Sequence, residues 1–471
     1  MALRILTQIN YSAGENPDGD SGLHFISTLL LSLVQLDQDL HFYVLVPTKH
    51  QAVWAAALSH PRITPVAVDL LPRLHGGDFR FDPAELIRKF DLRRFDVDVL
   101  FLNQPETAPA FLQFFNRQTF HNLPAVSYVH WFDTRRPSTP KQLLHRPALL
   151  GALSGMMVST LVGCNSIYGR DLILKQAGQW FNEASMTSLN ERFRILPPAV
   201  DVEEIMRGQT AKRRRRSKQI LVNHRLLKYT GVRTLLTDTL PSLWARRQDF
   251  SVLITNPTRV RLPRTLTDMP WLTVKTLERS EYIKSLWESD IVVAPHRNTH
   301  WSMSTLEAIS AECTPLMNRE SFFQEMIEPL TRSLSDREKE YIQERWFFYR
   351  GSIISQLSTL LDNLDKERSL IKKVAKHARS IYESNRLAHT WRQVFQEAES
   401  EIPMIGESNP SMCKIVEMLE KEQMVSKCQI LRHLRWAPKQ RALSWTAFRK
   451  QLKSIAVDDS SRPEATFALP R

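Results

Sequence analysis

The residues best suited to chemistry fall in a few short polar segments, each following an apolar run. Val222-Asn-His-Arg-Leu-Leu-Lys-Tyr-Thr-Gly231 leaves an apolar run and enters a helical one. Arg225 and Lys228 place two fixed cations on this loop, next to Asn223. Such a pair suits a diphosphate, whose negative charge grows as it departs. Ala294-Pro-His-Arg-Asn-Thr-His-Trp-Ser-Met-Ser-Thr-Leu-Glu-Ala308 couples another strand end to a hydroxyl-rich helix start. The amides at Ser304 and Thr305 can meet an anion at a helix N-terminus. The Glu307 carboxylate can accept from two vicinal ribose hydroxyls. Cations in one loop and an acid in another describe a nucleotide-diphosphate site, with His296 close by.

Two segments in the first half complete the set. Asn10 to Gly22 is a polar loop after the first apolar run, and Ser21 and Gly22 offer amides to an anion. Tyr128-Val-His-Trp-Phe-Asp133 ends another apolar run. His130 can hydrogen-bond a sugar hydroxyl, and Asp133 can accept from one or receive a proton. Taken singly, a strand-end histidine, a helix start or a surface loop of this kind is commonly structural. The weight lies in their joint placement.

Positioning them requires strands that end at a common edge. Leu3–Ile9, His41–Val46, Val97–Asn103, Ala125–His130, Thr160–Asn165 and Phe193–Leu196 are short, apolar and rich in Val, Ile, Leu and Phe, the pattern of buried parallel strands. Helical runs separate them, the clearest at Leu23–Leu36. The alternation restarts with Lys218–Asn223, Phe250–Thr255, Leu272–Leu277, Asp290–Pro295 and Thr314–Met317, with helices at Arg233–Arg247, Glu281–Glu288 and Ser304–Ala311. The fold class is therefore α/β: two Rossmann-like doubly wound domains facing a cleft, with ligands at the carboxyl ends of the strands. The expected divisions are 1–200, 201–332, a helical extension 333–400 packing back on the core, a linker 401–410, a basic helical module 411–456 and a disordered tail 457–471. The uncharged run Ala148 to Cys164 reads as a buried helix entering a strand and not as a membrane span. No GxGxxG, P-loop or GxSxG stands in a suitable place.

The surplus of positive charge is large. There are 63 Lys and Arg against 50 Asp and Glu, for a net charge of +13. Between Asn409 and Ala456 stand ten basic residues and three acidic ones. With Trp436 and Trp445 as apolar anchors, three short helices there resemble a helix-turn-helix module. Lys427, Arg432, Arg435, Arg441, Arg449 and Lys450, with the block Arg213, Arg214, Arg215 and Arg216, are the expected nucleic-acid contacts. A solvated helical tail and a solvated loop are the plainer alternatives. Four cysteines are too few for a disulfide scaffold and fit a reducing, cytoplasmic setting. Cys413, Cys428 and His433 fit no standard zinc spacing.

Taken together, these residues resemble the retaining GT-B glycosyltransferases. Leu196-Pro-Pro-Ala-Val-Asp201 looks like the family's interdomain P-x-G-V-D segment, with Ala199 where Gly is usual. Arg225 to Gly231 is similar to its G-R-L-x-x-x-K-G loop, with Thr230 at the customary basic position. Ser302 to Ala308 looks like the second half of its E-x7-E signature. Glu307 is the second acid, and Thr299 stands where the first would be. The likeness implies a nucleotide-sugar donor, UDP-glucose above all, bound mainly by the second domain, and retention at the anomeric carbon. It implies that His130 contacts the donor sugar, and that His296 or His300 takes over from the missing acid. No cofactor beyond the donor is implied, and no Asp-x-Asp metal motif is evident.

Phage DNA α-glucosyltransferases share this architecture, with a His and an Asp close together at the same strand end, as with His130 and Asp133. The expected acceptor is therefore a hydroxymethylated pyrimidine in DNA, flipped out of the stack. A phage-encoded protein would then work in the host cytoplasm. A GT-B enzyme acting on a polysaccharide, lipid or tRNA is the first alternative. A DNA-binding protein with an inactive GT-B domain is the second.

Overall fold

The computed structural model describes residues 3–9, 21–69, 97–119, 123–132, 146–209, 218–224, 231–256, 266, 268–297, 299–348 and 353–400, with short segments at 425–426, 457–459 and 466–468. The first half runs β1 (Leu3–Gln8), α1 (Ser21–Leu36), β2 (Leu40–Pro47), α2 (Gln51–Ala57), β3 (Ile63–Val68), β4 (Val99–Leu102), α3 (Ala108–Thr119), β5 (Ala125–Val129), α4 (Arg146–Val158), β6 (Leu161–Cys164), α5 (Ile167–Ala177), α6 (Glu183–Arg192) and β7 (Phe193–Ile195). The strands form one parallel sheet in the order β3-β2-β1-β4-β5-β6-β7. Burial on both faces explains why they read as unbroken apolar runs. β3 was not anticipated, because Pro65 interrupts it. It lies at the sheet edge, where a residue without an N–H is tolerated.

The second half repeats the design: α7 (Val202–Arg207), β8 (Lys218–Val222), α8 (residues 232–244), β9 (Phe250–Thr255), β10 (Leu272–Lys275), α9 (Arg279–Glu288), β11 (Ile291–Ala294), α10 (Met303–Ser310), β12 (Thr314–Asn318), α11 (Ser321–Thr331), α12 (Asp336–Trp346) and β13 (Phe347–Phe348). Its parallel sheet runs β10-β9-β8-β11-β12-β13. In each sheet the strand order reverses beside its first strand, between β1 and β4 and between β8 and β11. Open α/β sheets bind ligands in the crevice at such a point.

Two helices then tie the halves together. α13 (Ile353–Ile381) buries Leu357, Leu360, Leu361, Val374 and Ala378 in the second core. α14 (Ser384–Ser400) returns to the first sheet and buries Ala388, Trp391, Val394, Phe395 and Ala398 against Phe25, Phe42, Phe101 and Tyr128. Ion pairs Arg392–Asp37 and Arg194–Glu397 flank it. The joining segment is pinned from both sides. The Tyr128 hydroxyl donates to the Leu196 carbonyl at 2.9 Å, and the Val200 amide donates to the Tyr382 carbonyl at 2.7 Å. Asp201 then caps α7 by accepting from the Glu204 amide at 2.8 Å. Gly155 permits the closest approach in the first domain. A Cβ there would lie 1.7 Å from the Pro105 carbonyl oxygen, so α4 packs directly on that turn.

In the C-terminal region the described residues are strands. β14 (Val425–Ser426), β15 (Val457–Asp459) and β16 (Thr466–Ala468) pair antiparallel in the order β14-β16-β15. The last two of these strands fall in the segment 457–471 that was expected to lack structure. The remainder of the basic module, with Lys427, Arg432, Arg435, Arg441, Arg449 and Lys450, lies outside the described residues.

Candidate functional site

The carboxyl ends of β8 and β11 deliver Asn223, His224 and His296 to the switch point of the second sheet, and α10 brings Ser304 and Glu307 beneath them. A continuous polar network results. The Asn223 Nδ2 donates to the Ser304 carbonyl at 2.7 Å and to the Tyr282 hydroxyl at 3.1 Å. That hydroxyl donates to Glu307 Oε2 at 3.0 Å. Ser304 Oγ lies 3.2 Å from His224 Nδ1, and the His224 and His296 rings pack edge to face with centroids 4.2 Å apart. Several buried polar atoms have no partner among the described residues: Asn223 Oδ1, His224 Nε2, His296 Nδ1 and Thr299 Oγ1. Buried polar atoms cost free energy unless paired, so Asn223, His224 and His296 have unused capacity to hydrogen-bond a polar ligand.

Glu307 is held from a second direction. Arg279, the first residue of α9, donates from Nη2 to Glu307 Oε1 at 2.8 Å and grips Glu204 on α7 through Nε and Nη2. The same Nη2 reaches His24 Nε2 on α1, across the cleft, at 3.0 Å. Burial opposes the Arg279 charge, but Glu307 and Glu204 more than offset it and hold the guanidinium above its ordinary range. His24, Glu204, Arg279 and Tyr282 were not anticipated from the sequence. One signal was present: a cation in the first turn of a helix opposes the helix dipole, and a local conflict of that kind marks a residue kept for another reason.

Other anticipated residues take different places. Thr305 is fully buried, with its hydroxyl paired to Ser302 at 2.7 Å. Gly22 is buried at the start of α1, beside Ser21, whose side chain lies outside the described residues. Arg225, Lys228 and Asp133, and the block Arg213, Arg214, Arg215 and Arg216, also lie outside them. Gly231, which follows the loop of Arg225 and Lys228, adopts φ 72°, a conformation that favours glycine. His130 stands at the end of β5 with its ring edge-on to Phe25 and Tyr128, at 4.8 and 4.6 Å. The two candidates for the missing acid's role diverge. His296 faces His224 in the network, whereas His300 turns to the first domain, bonding the Phe132 backbone while its carbonyl accepts from Ser166 Oγ at 2.9 Å. Glu325 on α11 strengthens this seam by accepting from the amides of Ile167 and Tyr168 at 2.6 and 3.0 Å.

Burial lowers the pKa of four cleft histidines: His24 to about 4, helped by Arg279; His224 to about 3; His296 well below its usual value, with His224 contributing; and His300 to about 4. All are neutral at pH 7. Below about pH 6.5 the unfolded chain takes up protons at these positions while the folded chain does not. Stability present above pH 6.5 is therefore lost as pH falls toward 4, by up to about 1.4 kcal/mol per pH unit for each histidine. Unfolding midpoints at pH 7.5, 6 and 5 should fall progressively, and a flat profile would contradict this assignment.

Among the described residues, no cluster of three or more His, Cys, Asp or Glu could hold a metal ion, and no helix is long and apolar enough to cross a membrane. No protein-family model matches the sequence, and no curated protein does. Solved structures do match. Sucrose-phosphate synthase from Thermosynechococcus elongatus superposes with TM-score 0.61 at 10% identity, over 84% of this chain and 99% of that one. Anabaena HepE in complex with UDP-glucose gives 0.56 at 11% identity, over 84% and 100%. The E. coli trehalose-6-phosphate protein bound with UDP-2-fluoro glucose gives 0.54 at 10% identity, over 85% and 100%. The chain has the two-domain GT-B fold.

Proposed function

We propose that this protein is a retaining glycosyltransferase that moves a neutral hexose, glucose foremost, from a UDP-sugar to a hydroxymethylated pyrimidine in DNA. The carrying observation is the group of unpartnered buried polar atoms beside Glu307 at the second sheet's switch point. Structures of the same fold bound to UDP-glucose and UDP-2-fluoro glucose support a UDP-sugar there by analogy. Glu307 takes the ribose hydroxyls. His224 and His296, uncharged at neutral pH, offer the sugar hydrogen bonds without a cation, which disfavours a uronate.

In the reaction the bond from the anomeric carbon to the diphosphate oxygen breaks, and the acceptor oxygen bonds to the same face of that carbon. The acceptor proton passes to the departing diphosphate. Arg225 and Lys228 stabilise the charge developing on that group. His130, on the opposing domain, hydrogen-bonds the sugar. The DNA acceptor rests on the +13 net charge and on the basic C-terminal sequence.

Full-length protein incubated with UDP-glucose should release UDP with hydroxymethylated duplex DNA and not with unmodified DNA; UDP-glucuronate should not substitute. Release with tRNA, a glycan, a lipid or a hexose phosphate would move the acceptor to that class. Tight DNA binding without turnover would identify an inactive binding protein.

A further inference from the structure

We infer that Arg279 is a positioning residue that presents the Glu307 carboxylate to a vicinal diol and pins that arrangement to the opposing domain through His24. The inference rests on the donor site proposed above and deepens it.

The geometry constrains both partners. The side chains of Glu307 and Arg279 are 6% and 13% exposed, so each charge depends on its partners for stabilisation. Arg279 occupies one acceptor position on Oε1, and Tyr282 occupies one on Oε2. A carboxylate oxygen has two such positions, so each retains one. With its plane fixed from both sides, the carboxylate can accept two adjacent hydroxyls at once. Glu204 anchors the guanidinium from behind through Nε and Nη2, so the arginine cannot simply rotate away.

The contact with α1 extends this clamp. Arginine only donates, and its Nη2 has two hydrogens for three neighbours, Glu204 Oε2, Glu307 Oε1 and His24 Nε2, so a neutral His24 accepts through Nε2 in a bond shared with a carboxylate. His24 also lies 3.9 Å from Glu307 Oε1. The ribose-binding acid of one domain is thereby registered against the first helix of the other. A nucleotide that engages Glu307 strengthens the same arrangement that aligns the two halves of the cleft.

Comparison of UDP with 2′-deoxy-UDP tests this, because a merely structural arginine would change both affinities alike. By calorimetry, wild-type protein should bind UDP about tenfold or more tightly than the deoxy analogue. Arg279→Met should bring that ratio close to one, and Arg279→Lys should restore part of it. His24→Gln, whose side-chain oxygen replaces Nε2, should keep most of the discrimination, whereas His24→Phe should reduce it. Thermal unfolding of each variant verifies the fold, and Arg279→Lys and His24→Phe stand in if Arg279→Met does not fold. If wild type discriminates and the folded arginine variants do so equally, the positioning role is overturned while the donor site stands. If wild type binds neither nucleotide, the donor site falls and this inference with it.

Discussion

Glu307→Gln should raise the dissociation constant for UDP by about 100-fold. The substitution keeps the shape of the side chain and removes its charge. Two hydroxyl contacts then change from charge-assisted to neutral, and each bond to a charged group contributes about 1.5–3 kcal/mol against about 1 for a neutral one. The amide nitrogen must also face Arg279 or Tyr282, where the carboxylate accepted from both. Titration calorimetry with UDP measures the effect, and circular dichroism verifies that the variant is folded. A change smaller than threefold would remove Glu307 from the nucleoside site.

Trp391→Ala should be among the most destabilising single substitutions in the first domain. The indole is 1% exposed, with ring centroids 5.0 Å from Phe101, 5.2 Å from Tyr128 and 5.7 Å from Phe395. Truncating a buried tryptophan costs about 3–5 kcal/mol, which for a domain of this size lowers the unfolding midpoint by roughly 6–20 °C. The effect should appear first as a separate early transition, because α14 is the element that joins the first sheet to the second domain's helices. Trp391→Phe should recover most of the loss. Differential scanning calorimetry resolves the transitions, and an unchanged profile would show that α14 does not stabilise the first domain.

The strands were readable because both sheets are parallel and covered on both faces. Under those conditions each buried strand must be an apolar run, and β5, β9 and β12 lie within a residue of the expected limits. β3 escaped because Pro65 argues against a strand everywhere except at an edge, and edge position is a property of the assembled sheet. The placement of Asn223 and His296 was readable for a related reason. Polar residues directly after an apolar strand fall at the sheet's carboxyl edge, and that edge is where such sheets bind ligands.

Arg279 and His24 show the other side. They are 255 residues apart, and no local pattern links them. Spacing likewise left His296 and His300 equivalent as substitutes for the acid missing at Thr299. Only the turn of the chain after β11 sends one ring to His224 and the other to Phe132.

The amino-acid sequence by itself determined the paired α/β domains, the polar residues at the carboxyl edge of each sheet, and the acid and imidazole groups available there. Those follow from burial and chain direction, which are local. The tertiary structure alone decided which helix closes each core, which histidine packs on His224, and which cation holds Glu307. Those depend on contacts between residues far apart in the chain, whose energies arise only once both domains have packed.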